Sequence, residues 1–242
     1  MQKELAPLGG EEQPWKEQEH AEKLGHHEDR QYRSLVARDN YLSPDRPDIQ
    51  YAVKELCRSM SDPSRGDMAS LRRLARYLID KPRLIWRFDI QDHISICRAY
   101  SDSDWAGCKR TAKSTSGGVL MIGNHTIKTW SSTQKSITLS SGEAELVAAV
   151  KTSTELIGLC QMAREWDIEL GGEVLVDSSA ALGATKRKGN GKLRHVRVGL
   201  FWIQQNAEEG EIQYEKVLGT ENPADLMTNH LNRNISFISS RS

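Results

Sequence analysis

"ISICRAYSD" (residues 94–102), "GGVLMIGN" (117–124) and "HTIKTWSSTQK" (125–135) each alternate apolar and polar residues with a period of two. Gly123, Asn124 and His125 stand at the junction of the last two. Successive side chains of a strand point to opposite faces, so this alternation predicts three half-buried strands joined as an antiparallel meander. Downstream, "GEAELVAAVKTSTELIGLCQMARE" (142–165) sets Leu146, Ala149, Val150, Ser153, Ile157 and Cys160 in one stripe, which predicts a long helix. "EVLVDSS" (173–179) is a short continuous apolar run ending at Asp177, the pattern of a strand buried on both faces. Next come a short helix, a basic Gly-rich loop, a helix over "RVGLFWIQQNAEEG" (197–210), a strand "IQYEKVLG" (212–219) and a last helix from "NPADLMTNHL" (222–231).

The expected order is β-β-β-α-β-α-α-β-α. A meander is antiparallel to itself, whereas strand-helix-strand crossovers pair in parallel, so an α/β fold with a five-stranded mixed sheet and helices on both faces is expected. Upstream, "RPDIQYAVKELCRSM" (46–60) reads as an amphipathic helix capped by Asp48, with Ile49, Val53, Leu56, Cys57 and Met60 on one face. "SDPSRG" (61–66) breaks it. "GDMASLRRLARYLI" (66–79) then places Met68, Leu71, Ala75 and Leu78 opposite Arg72, Arg73 and Arg76, giving a small helical segment before the sheet. Residues 1–30 carry eight acids against four bases and no periodicity, and read as a disordered or loosely attached extension.

The 242 residues hold 33 basic and 33 acidic side chains, a balance that argues against a protein coating nucleic acid over its whole surface. No apolar run approaches the roughly 20 residues that span a bilayer, and the N-terminus lacks the apolar core of a secretory signal. A soluble, intracellular protein without a membrane partner is expected. Cys57, Cys97, Cys108 and Cys160 are scattered with no C-x-x-C pair, so neither a zinc site nor a disulfide framework is indicated.

Four acids fall at element ends. Asp102 ends the first strand and Asp177 the buried one, and ligands of open α/β sheets gather beyond the carboxyl ends of adjacent strands. Glu145 and Asp225 lie in the first turns of the long helix and the last helix, where the helix dipole by itself also favours acids. Converging carboxylates repel unless a cation joins them, and hard oxygen donors select Mg²⁺ or Mn²⁺. Such a site suits two ions about 4 Å apart acting on a phosphodiester. Periodicity alone does not choose between Asp102 and Asp104, or between Glu143 and Glu145.

"AYSDSDWAGCKRTAKSTSGG", "SITLSSGEAELVAA", "VLVDSSAAL", "LRHVRVGLFWIQ" and "GTENPADLMTNHL", in that order, resemble the ribonuclease H domain at the C-terminal end of copia-type retrotransposon Pol polyproteins. "YRSLV", "RPDIQYAV", "LCRSM" and "LRRLARYL" are similar to the end of the preceding reverse transcriptase. The resemblance covers about residues 31 to 232 and divides the chain into an extension (1–30), a helical remnant (31–83), a ribonuclease H-like domain (84–234) and a tail (235–242). It implies the ribonuclease H fold, cleavage of the RNA strand of RNA/DNA hybrids with two Mg²⁺ or Mn²⁺ ions, and attachment to the rest of a Pol polyprotein. It selects Asp102, Glu145, Asp177 and Asp225 as metal ligands and leaves Asp104 and Glu143 secondary. His195 matches a family histidine expected to serve substrate positioning or product release. The basic loop, with Lys186, Arg187, Lys188, Lys192, Arg194 and Arg197, is expected to contact the hybrid backbone together with Lys109, Arg110 and Lys113.

The chain departs from the family in lacking a Tyr-x-Asp-Asp polymerase motif, in Arg38-Asp39-Asn40, in Gly199 where an acid is usual, and in "MTNHL", which lacks the usual lysine. These departures leave a second expectation open, a catalytically idle nucleic-acid-binding remnant.

Overall fold

The structure is a computed structural model that describes residues 22–92, 94–108, 110–187 and 197–229. The chain divides into two compact units; the first holds residues 22–87 and Asn229 of the described chain, the second Phe88–Thr228.

The first unit contains helices α1 (His26–Leu42), α2 (Pro47–Arg58) and α3 (Arg65–Asp80). Helix α1 begins inside the stretch expected to be an extension. Only Tyr32 and Val36 of its residues are buried, so its apolar face is too narrow to register as a period. In α2 the N-cap is Arg46 rather than the expected Asp48, because Pro47 opens the helix with its φ already helical. Asp48 instead lies buried in the first turn, where Arg46 donates to it at 2.9 and 2.6 Å and the Tyr77 hydroxyl donates at 3.0 Å. Helix α3 starts on a capping box: the Ser64 hydroxyl accepts from the Asp67 N–H, and the Asp67 carboxylate accepts from the Ser64 N–H. Leu74, not the expected Ala75, completes the buried face of α3 with Met68 and Leu71. These side chains pack against Tyr32, Val36, Ile49, Val53 and Leu56 in one core.

The second unit is built on strands β1 (Ile96–Asp104), β2 (Thr115–Ile122), β3 (His125–Thr133), β4 (Gly171–Val176) and β5 (Ile212–Lys216). They form one sheet in the order β3-β2-β1-β4-β5. Strands β1, β2 and β3 pair antiparallel, and β4 runs parallel to both β1 and β5. This is the five-stranded mixed sheet that the sequence predicts, with the topology of the ribonuclease H fold. Gly123 turns the β2–β3 hairpin at φ +57°, a conformation that costs glycine little.

Helices α4 (Ser141–Arg164), α5 (Ser179–Lys186) and α6 (Arg197–Glu208) follow the strand alternation. Cys97 and Ala99 of β1, Leu120 of β2, Trp130 of β3 and Val174 and Val176 of β4 share one core with Leu146, Leu156, Ala184, Leu200 and Ile203 of these helices. Gly118 permits the packing, since a Cβ there would lie 2.0 Å from the Trp130 ring. Its neighbour Gly117 faces the opposite side, where a Cβ would lie 2.7 Å from both Met227 Cβ and Thr228 Cγ2. Among the described residues, the element on that side is a 3₁₀ turn, Pro223–Met227, where a helix is expected from Asn222. Asn222 caps this turn by accepting from the Ala224 N–H at 3.1 Å.

Candidate metal centre

Parallel pairing of Ser101 with Val176 puts the next residues, Asp102 and Asp177, side by side; Asp177 follows the end of β4, whereas β1 does not end at Asp102 as expected but runs on to Asp104 through its pairing with β2. Helix α4 starts on its N-cap Ser140, whose hydroxyl accepts from the Glu143 N–H at 3.2 Å, and brings Glu145 to the same point. One carboxylate oxygen from each of Asp102, Glu145 and Asp177 lies within 4.8 Å of the others.

The neighbouring acids Asp104 and Glu143 are engaged elsewhere. The Asp104 carboxylate lies over Gly107, occupying the space that a Cβ there would need, with Oδ2 only 1.5 Å from that position. Asp104, the last residue of β1, therefore lays its carboxylate over the turn that follows, and Gly107 is the residue that leaves room for it. Glu143 is buried and accepts from the Leu139 N–H at 2.7 Å, which closes the start of α4.

Burial is the main cause of the electrostatics of the cluster. It pushes Asp102 up to about 6, aided by the charges of Asp177 and Asp225 and opposed by a hydrogen bond from Thr228. Glu145 rises to about 9, again through burial first and then the charges of Asp102 and Asp177. Asp177 is raised too, by burial first, with the charge of Asp225 adding to the rise and hydrogen bonding and the charge of Lys216 opposing it. One oxygen of Glu145, Oε2, is buried with no hydrogen-bond partner. A buried carboxylate oxygen without a partner, where three acids meet, is a position that a bound cation would satisfy. The all-oxygen donor set fits a hard divalent ion such as Mg²⁺ or Mn²⁺.

Asp225 stands apart from this tight group. It is exposed in the 3₁₀ turn, yet close enough for its charge to raise both Asp102 and Asp177. Of the expected basic contacts, Arg110 is exposed and Lys113 half-buried in the loop after β1. Lys186 and Arg187 line a cleft with Phe201, Gln204 and Tyr214, a group that includes none of the clustered acids. Arg197 opens α6. Lys109, Lys188, Lys192, Arg194 and His195 lie outside the described residues.

Three residues around the acids are not singled out by sequence reasoning. Buried Asn222 donates to the Ser101 carbonyl at 3.0 Å besides capping its own turn, so it joins the turn to β1. Lys216 sits opposite Val176 in the β4–β5 register, one residue before Asp177, and donates to the Ser179 hydroxyl. Buried Thr228 donates its hydroxyl to Asp102 Oδ2. The signal for Asn222 is its place before Pro223, an N-cap pattern; Lys216 and Thr228 carry none without the register.

A mixed sheet in this order, with acids converging toward the carboxyl ends of its two central strands, defines a ribonuclease H-like domain. The chain is 31% identical over 207 residues to a retrovirus-related Pol polyprotein from transposon RE1 of Arabidopsis thaliana, a match covering 84% of this chain and 14% of that protein. A second Arabidopsis thaliana relative, the Pol polyprotein from transposon RE2, matches with the same identity and coverage. Among solved structures it is similar to the N-terminal ribonuclease H domain of a Mycobacterium tuberculosis protein, at 16% identity and a TM-score of 0.43 over 56% of this chain and 91% of that one. No protein-family model matches the chain. The homologues of the chain are thus retrovirus-related Pol polyproteins from transposons, and it spans 14% of the length of the two relatives just described. No helix among the described residues is long and apolar enough to cross a membrane.

Proposed function

We propose that the second unit hydrolyses the RNA strand of RNA/DNA hybrids at a divalent-metal centre formed by Asp102, Glu145 and Asp177, with Asp225 as the fourth acid. The observation that carries this reading is the convergence of the three carboxylates with one buried Glu145 oxygen left unpartnered. Two Mg²⁺ or Mn²⁺ ions, when bound, would supply an activated water and neutralise charge on the leaving oxygen. Asp102 and Asp177 present their carboxylates from rigid strand ends, and Glu145 reaches them from the first turns of α4. Asp225, on the exposed turn, is near enough for its charge to act on Asp102 and Asp177. The in-line displacement leaves a 5′-phosphate and a 3′-hydroxyl.

Arg110, Lys113, Lys186 and Arg187 of the described residues are the proposed backbone contacts, joined by Lys109, Lys188, Lys192, Arg194 and Arg197. Contacts of this kind supply affinity without sequence preference, and the 2′-hydroxyl and groove shape distinguish a hybrid from duplex DNA. His195 is proposed to position substrate or release product. The first unit is read as the end of a reverse transcriptase, which makes the rest of a Pol polyprotein the natural partner. The match to the transposon proteins, at 207 residues, is long enough to extend into that unit.

The test is hydrolysis of an end-labelled RNA strand annealed to DNA, with Mg²⁺ and with chelator, beside Asp177→Asn. The expected result is metal-dependent cleavage of the hybrid, none of duplex DNA, and loss in the variant. A folded wild type that binds hybrid without cutting it would be the idle remnant, and the enzyme reading would fall.

A further inference from the structure

Thr228 follows the 3₁₀ turn that carries Asp225, and it is fully buried. Its backbone N–H donates to the Asp225 carbonyl at 3.2 Å, which ties it to that residue. Its hydroxyl reaches two acceptors, Asp102 Oδ2 and, at 3.1 Å, the same Asp225 carbonyl. A hydroxyl has one proton to give, and the charge-assisted bond to a carboxylate is the stronger, so the proton goes to Asp102. Its Cγ2 methyl packs where Asp102 and Gly117 pair across β1 and β2, and a Cβ on Gly117 would lie 2.7 Å from it. The absence of a side chain at Gly117 therefore lets Thr228 approach the strand closely enough to bond the acid beside it.

We infer that Thr228 is a positioning residue: its hydroxyl orients the Asp102 carboxylate toward Glu145 and Asp177 and fastens the turn bearing Asp225 to β1. This rests on the metal-centre reading above. With one oxygen held, the plane of the Asp102 carboxylate is fixed, and so is the direction in which its free lone pairs face the cluster. The same bond sets how far the turn stands from the strand ends. Partners of this kind, which touch a ligand group rather than the metal, typically change metal affinity by about 10–100-fold when removed.

The experiment is Mn²⁺ titration of the full chain, read as loss of the free-ion electron paramagnetic resonance signal, for wild type, Thr228→Val and Thr228→Ser. Valine keeps the shape and the methyl packing but has no hydroxyl; serine keeps the hydroxyl and loses the methyl. The expected result is a weakening of at least about tenfold in Thr228→Val and wild-type affinity in Thr228→Ser. Equal affinity of Thr228→Val and wild type overturns the inference, as does an equal loss in both variants, which would assign the effect to packing. Should circular dichroism show that Thr228→Val does not fold, Thr228→Ser decides: wild-type affinity supports the inference and a tenfold loss overturns it. A wild type that binds no Mn²⁺ removes the metal-centre reading itself, an outcome distinct from equal binding by all the chains.

Discussion

Replacing Asp102 by asparagine removes a charge from a site where the metal-free fold pays to hold it. Asp102 is 7% exposed, and its pKa is raised from 3.8 to about 6. At 1.36 kcal/mol per pKa unit, the ionised carboxylate costs the folded state about 3 kcal/mol. Because the folded-state value lies above the unfolded one, the cost is absent below about pH 4, grows as pH rises through the interval to about 6, and is complete above it. Asparagine is neutral throughout and keeps an oxygen to accept the Thr228 hydroxyl. Its own amide must be desolvated, at about 1 kcal/mol, which leaves a net gain of about 2 kcal/mol near pH 8. Thermal unfolding in chelator should then show Asp102→Asn melting about 4–8 °C above wild type at pH 8. The difference should shrink toward zero near pH 4.5. A variant no more stable than wild type at pH 8, or a gain independent of pH, would refute the assignment of Asp102 to a buried, mutually repelling cluster.

Adding Mg²⁺ should reverse that ranking, raising the melting temperature of wild type by the equivalent of about 2.7 kcal/mol at a hundredfold excess over Kd and leaving Asp102→Asn unmoved; equal shifts would place the ion elsewhere. Gly118→Ala would force a Cβ to 2.0 Å from the Trp130 ring, so urea denaturation should show a loss of at least about 1–3 kcal/mol, and an unchanged midpoint would contradict the packing described. Asp48→Ala strands the buried Arg46 guanidinium without its carboxylate, and the same measurement should register about 3 kcal/mol of destabilisation; a loss under 1 kcal/mol would show the pair to be hydrated.

The strands were legible in place, less so in burial. β1 alternates, with Cys97 and Ala99 inward and Arg98 outward, but β2 is buried along all of Thr115–Leu120 instead of on one face, and β4, expected to be buried on both faces, buries only Val174 and Val176. Helix α1 was not legible, since two buried residues in a polar helix leave no period to detect. The helix expected from Asn222 became a 3₁₀ turn over its described part, a distinction that hydrophobic spacing does not carry. The clustered acids were legible as candidates but not as a set. Asp102 and Asp104 both close β1, and what separates them is a backbone detail, the space over Gly107 that Asp104 fills. Glu143 and Glu145 are separated by which one turns back to the Leu139 N–H. Thr228 is visible only once the chain returns to Gly117.

Whether Asp102, Glu145 and Asp177 form one metal centre is read from anomalous diffraction by crystals of the full chain grown with Mn²⁺. A peak coordinated by oxygens of these three residues is expected. No peak there, or a peak elsewhere on the chain, would contradict it.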